Sequence, residues 1–275
     1  MRRDFLDTPF GQIHYATEGS GESVLLLHQT ARSMNEYEQV IPLIAKKYRV
    51  IAMDTLGYGD SDKPNRCPTI ANYAETVLML IDTLGLRKIS IVGHHTGAYI
   101  GVEVASTYPD RVEKAVLSGP APTMFSEDKP EIPEPYEEWY ENWKNWLGKE
   151  TREDGSHLIR AWELFRKHDP SLRADRLNKR LLDYLKAGDT GIYAYDALAT
   201  YRMEDRLPLI ECPTLVLFGT NDFRSFGLGG DEEKVAEAIP RSKMVWVEGA
   251  TYCFPDQLPE KFAQLVLEFL KEPGL

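Results

Sequence analysis

Short apolar runs alternate with longer amphipathic stretches along the chain. Residues 24–27, 50–53, 89–92, 115–117, 215–218 and 245–247 form nearly unbroken apolar segments of strand length. A strand covered on both faces loses the usual in-out alternation, so such runs mark a parallel sheet with helices on each side. Between them, residues 35–46, 70–84, 98–108, 232–239 and 259–270 carry apolar side chains at helical spacing. Gly85 stands where the second of these helices must end. The pattern predicts an α/β fold of six strands joined by crossover helices.

Residues 121–207 interrupt the alternation with several helical segments and no convincing strand. They read as an insertion between two strands. The expected organisation is an α/β core domain of residues 1–120 and 208–275, with residues 121–207 as a helical cap across the strand ends. Pro120, Pro122, Pro130, Pro133 and Pro135 hold the entrance of the insertion extended. Further on, Tyr136, Trp139, Tyr140, Trp143 and Trp146 fall at spacings of three and four, an aromatic stripe on one helix face that either packs the cap or lines a pocket. Asp154-Gly155-Ser156-His157 reads as a turn capping the helix after it.

Composition narrows the partners. The 275 residues carry 43 acids against 32 bases, a net charge of −11. That balance argues against nucleic acid, whose binders concentrate Lys and Arg on one face. No apolar run approaches the roughly 20 residues of a membrane span, and MRRDFLDTPF lacks the apolar centre of a signal peptide. Cys67, Cys212 and Cys253 are an odd count without metal-like spacing, which fits reduced thiols. The expectation is a cytoplasmic protein acting on a small molecule. Oligomeric state is not legible in the sequence.

The candidate chemistry begins where the apolar run 89–92 meets Gly93-His94-His95-Thr96-Gly97 and then a helix. A strand, a turn of the form G-x-x-x-G and a helix force the central side chain outward at the top of a sheet. With Asp54-Thr55-Leu56-Gly57-Tyr58-Gly59 before it, Gly219-Thr220-Asn221-Asp222 after a late strand, and Gly249-Ala250-Thr251-Tyr252 before the last helix, the chain resembles the α/β-hydrolase fold superfamily over nearly its whole length. The resemblance implies that fold, a mostly parallel central sheet flanked by helices with a helical cap insertion, and a catalytic acid at Asp222.

The same resemblance exposes departures. The position usually held by Ser is His95, the position of the catalytic His is Tyr252, and the usual His-Gly after the first core strand is His28-Gln29-Thr30. A serine-alkoxide mechanism therefore does not follow from the fold. Imidazole titrates near neutrality and can act as base or nucleophile without an activating partner. His95 is expected to serve as the base, its far nitrogen lying where an ester carbon sits in serine members. Asp222 would orient it, directly or through Tyr252, and Tyr252 would donate to the substrate oxygen. The Thr96 N–H, with a second donor from the Gln29-Thr30 loop, would form the oxyanion site. Gln29 either enters the pocket or closes it. His28 and His94 read first as structural, and Cys253 as an inert thiol.

No metal is expected, because the histidines show no ligand spacing, and no cofactor is implied. Three functional readings follow from these residues. The first is an enzyme working on a carbonyl-containing substrate, by lactone or ester hydrolysis or by a lyase or isomerase proton abstraction. The second is a ligand-binding protein that has lost catalysis. The third is an ordinary serine esterase with displaced residues, which a fluorophosphonate probe would label.

Overall fold

The computed structural model describes residues 1–120, 151–222 and 232–273. Its centre is one eight-stranded sheet in the order β1-β2-β4-β3-β5-β6-β7-β8. The strands are β1 (Arg2–Thr8), β2 (Gly11–Glu18), β3 (Ser23–Leu27), β4 (Arg49–Met53), β5 (Ile89–His94), β6 (Val112–Ser118), β7 (Thr214–Gly219) and β8 (Ser242–Val247). From β4 to β8 all neighbours are parallel, whereas β1 and β2 form an antiparallel hairpin that pairs onto β4. The six expected strands are all present, and the hairpin adds two. It escapes an apolar-run reading because β1 lies at the sheet edge with Leu6 as its one buried residue and the buried stretch of β2 contains the polar His14. The charges of Arg2, Arg3, Asp4 and Asp7 suit an edge that must not pair with another chain.

The two faces of the sheet divide its apolar residues by parity. Leu25, Leu27, Ile51, Met53, Ile91 and Leu117 pack into one cluster with the helices α2 (Ile70–Thr83) and α3 (Thr96–Thr107). Val24, Leu26, Val50, Ala52, Val92 and Val116 pack into the other, against α1 (Ile41–Ile44) and the last helix. The expected helix over 35–46 is shorter: a 3-10 turn at Met34–Tyr37 precedes α1. Pro42 falls in the first turn of α1, where its missing N–H costs nothing.

Among the described residues between β6 and β7, the chain is helical: α4 (Ser156–His168), α5 (Ala174–Ala187) and α6 (Tyr193–Ala199), joined and followed by 3-10 turns. Ser156 N–H bonds Asp154 Oδ1 at 3.0 Å at the start of α4, in keeping with the capping turn. The aromatic stripe from Tyr136 to Trp146 lies outside the described residues. After β7 come α7 (Glu232–Ala238), β8, the short α8 (Phe254–Gln257) and α9 (Pro259–Lys271). Among the described residues, no helix is long and apolar enough to cross a membrane.

Candidate active site

The turn after β5 holds His95 at φ 46°, the one positive φ of a non-glycine among the described residues. Two glycines make this conformation attainable. A Cβ on Gly93 would lie 2.2 Å from the Gly97 carbonyl oxygen, and one on Gly97 would lie 2.0 Å from that of Leu27. Backbone fills both spaces, so the turn closes only with glycine at each position. His95 N–H donates to the Ser118 carbonyl (2.8 Å), and the His95 carbonyl accepts from Ala98 as α3 begins. Its imidazole, part-buried, stands at the carboxyl end of the parallel strands, where open α/β sheets place their ligands.

Asp222 sits just beyond β7 in a turn held by Thr220 N–H to the Val247 carbonyl and Asn221 N–H to that of Ala250. Its Oδ2 lies 3.1 Å from His95 Nε2. A carboxylate only accepts, so Nε2 carries the proton in this pair and Nδ1 carries the lone pair of the neutral ring. The far nitrogen, expected at the reacting centre, is turned to Asp222 instead, and the contact is direct rather than through Tyr252. Gly119, after β6, makes room for it. With φ +64°, a Cβ there would come within 2.8 Å of His95 Nε2 and 3.0 Å of Asp222 Oδ2.

Tyr252 occupies the loop before α8. Its carbonyl accepts from His94 Nε2 and from the Gln29 amide, both at 3.0 Å, and its hydroxyl accepts from Arg180 of α5. Burial holds that hydroxyl well above the ordinary tyrosine range. The side chain thus joins a cluster with Phe165, Leu177 and Leu181 of the helical segment. Cys253 beside it has a basic neighbour that the sequence did not reveal, with Arg180 Nη1 3.5 Å from Sγ, yet burial pushes the thiol up.

His28 and His94 each have both ring nitrogens engaged. His28 Nε2 accepts from Thr55 N–H (3.0 Å), so its Nδ1–H donates to the Gln29 carbonyl (2.8 Å). His94 donates from Nε2 to Tyr252, and its Nδ1 pairs with Ser118 Oγ at 3.0 Å. Burial depresses the pKa of both rings, leaving them neutral. Neither has a nitrogen to spare for a metal. His14, Asp54 and Asp60 bring ligand-type atoms within 4.8 Å of one another. There His14 Nδ1 already bonds Asp54 Oδ2 at 2.7 Å, and Lys186 is paired with Asp60.

The Gln29 side chain is buried and turned to protein partners. Its amide nitrogen bonds Glu36 and the Tyr252 carbonyl, and its backbone N–H bonds Glu36 Oε2 at 3.0 Å. Thr30 N–H is directed to Thr96 Oγ1 at 3.3 Å. Both backbone donors of this loop are therefore taken, whereas the Thr96 N–H is the first of α3 and has no acceptor within the helix. Glu36 is sealed from solvent, and burial raises its carboxyl to about 7. Next to it, Arg32 pairs with Asp183 of α5 (3.1 Å) and with Asp256 of α8. Arg176 pairs with Asp256 and Glu38. Sequence reading missed Glu36, Arg32 and Gly119. The two charges look like the wet face of a helix, and a glycine after a strand looks like any turn.

The sequence model of a family described as alpha/beta hydrolase fold matches residues 22–249. The chain is 33% identical over 147 residues to a fluoroacetate dehalogenase of a Burkholderia species, a match covering 51% of this chain and about half, 48%, of that protein. It is 29% identical over 273 residues to a Pseudomonas putida 2-hydroxy-6-oxononadienedioate/2-hydroxy-6-oxononatrienedioate hydrolase 2, covering 94% and 92% of the two chains. Among solved structures, a thermophilic esterase from Thermogutta terrifontis is similar with a TM-score of 0.76 and 26% identity, covering 98% of each chain.

Proposed function

Because the chain belongs to the alpha/beta hydrolase fold family, we propose that it is a small-molecule enzyme acting on a carbonyl-containing substrate, with His95 as general base. The observation that carries this reading is the 3.1 Å pair of His95 Nε2 and Asp222 Oδ2 at the forced-outward position of the elbow. Relatives named as hydrolases support the reaction class. Residues 121–207 serve as the cap over this site.

Asp222 fixes the ring tautomer and stabilises the imidazolium that forms. Nδ1 takes a proton from water as the hydroxide adds to the carbonyl carbon of a lactone or activated ester. The oxyanion develops toward the Thr96 N–H, where a helix N-terminus favours negative charge. Collapse expels the alkoxide, which recovers the proton from His95. With a carbon acid in place of water, the same base begins a lyase or isomerase step.

The test is turnover of a panel of lactones and 4-nitrophenyl esters by wild type, His95→Ala and Asp222→Asn. We expect His95→Ala to lose activity and Asp222→Asn to fall by about 10²–10⁴-fold. Unchanged turnover in His95→Ala refutes the base assignment. A second reading, ligand binding without catalysis, draws on the engaged donors of Gln29 and Thr30. Saturable binding with ligand recovered unaltered by wild type would favour it.

A further inference from the structure

Arg180 stands out among the cations of α5. Arg176, Lys179 and Lys186 are each paired with a carboxylate. Arg180 meets none among the described residues. The residue is half-buried, with its guanidinium carbon 4.3 Å from the Phe165 ring centroid and 4.6 Å from that of Tyr252. Its hydrogen bonds, to the Tyr252 hydroxyl and Cys253 Sγ, both leave from Nη1. A guanidinium has five N–H donors in a rigid fork. Nε and Nη2 are left without a protein acceptor among the described residues, and neither is sealed from solvent.

A cation partly withdrawn from water with no counter-charge is costly, and a ligand of opposite charge would offset that cost. The Asp169 carboxylate acts on Tyr252 and Cys253 but is itself bonded to Thr251 and Ser171. Burial, Arg180 and Lys167 lower the pKa of His168 to about 4, while Tyr252 and Cys253 hold their protons. Arg32, the other cation acting on Arg180, is already balanced by Asp183 and Asp256. Tyr252 connects this charge to the elbow, since its carbonyl receives His94, whose ring lies 4.6 Å from that of His95.

We infer that Arg180 is the specificity residue of the site and receives a carboxylate carried by the substrate, remote from the carbonyl that reacts. The donors at Nε and Nη2 lie along one edge of the planar fork, a geometry suited to a carboxylate held through parallel N–H···O bonds. A single guanidinium with no carboxylate partner among the described residues matches a monoanionic group better than a phosphate dianion. This inference rests on the proposed site at His95 for the reacting end, but the recognition of the carboxylate is measurable without turnover.

The experiment is calorimetric titration of wild type, Arg180→Met and Arg180→Lys with acetate, butanoate, phenylacetate and glutarate, each beside its neutral primary amide, and with inorganic phosphate. Wild type is expected to bind at least one carboxylate tenfold or more tightly than its amide and than phosphate. Arg180→Met should lose that preference, and Arg180→Lys should keep part of it, because charge remains while the fork is lost. Circular dichroism establishes that both variants fold. Equal binding of acid and amide by wild type, a preference undiminished in folded Arg180→Met, or preferred binding of phosphate overturns the inference. Each of these outcomes is independent of His95→Ala turnover, so the two proposals fail separately.

Discussion

Gly119 and His95 are in a relationship of exclusion: a Cβ on Gly119 would lie 2.8 Å from His95 Nε2, the atom that faces Asp222. The glycine is the space in which the pair forms. It also adopts φ +64°, a conformation that L side chains enter at a cost of about 1 kcal/mol.

Gly119→Ala is therefore expected to displace the imidazole from Asp222. Steady-state turnover should drop by tenfold or more, with stability lowered by only about 1–2 kcal/mol in urea melts. Retained turnover in the alanine variant would mean that the ring rearranges without loss and that its contact with Asp222 is dispensable.

The ion pairs beneath the elbow give a prediction about the helical segment. Asp183 of α5 accepts from Arg32, Ser33 and Asn35, all in the loop after β3. Asp183→Ala leaves Arg32, 2% exposed, with Asp256 as its remaining ion-pair partner and deprives Ser33 and Asn35 of an acceptor. Breaking a buried pair in this way costs about 3–5 kcal/mol. Scanning calorimetry should register a fall on the order of 10 °C, whereas a shift under about 2 °C would show that water replaces the carboxylate.

Glu36 sets a pH dependence of stability. Burial raises its carboxyl from 4.5 to about 7, the Arg32 charge opposing that rise. Between those values the unfolded chain releases a proton that the native state keeps, so stability declines as pH rises through this window and levels off above it. The change amounts to on the order of 3 kcal/mol. In Glu36→Gln that slope should vanish. Urea unfolding between pH 5 and 8 would show the variant gaining on wild type as pH rises, around a constant offset from the lost acceptor for Gln29. Parallel curves would refute the assignment.

The elbow was legible in the sequence because its requirements are local. Gly93 and Gly97 are imposed by backbone contacts within a few residues and by the strand beside them, and the apolar run before them announces that strand. The hairpin was not legible, since β1 is an edge strand with one buried residue and the buried stretch of β2, Ile13 to Ala16, is interrupted by the polar His14. Glu36 and Arg32 were hidden for a related reason. Their burial is created by α5 and α8, more than a hundred residues away, and no periodicity near residue 36 records it.

The sequence by itself determined the alternation of strands and helices and the outward histidine at position 95, because apolar runs and glycines act on the chain nearby, while Asp222 was singled out by the resemblance. The tertiary structure decided what those side chains meet. It turned His95 Nε2 rather than Nδ1 toward Asp222, drew the Gln29 amide to Glu36 and Tyr252, and set Arg180 against the rings of Phe165 and Tyr252 with no carboxylate partner among the described residues. Such contacts join residues from distant parts of the chain, and their partners are fixed only when the sheet and the helical segment pack together.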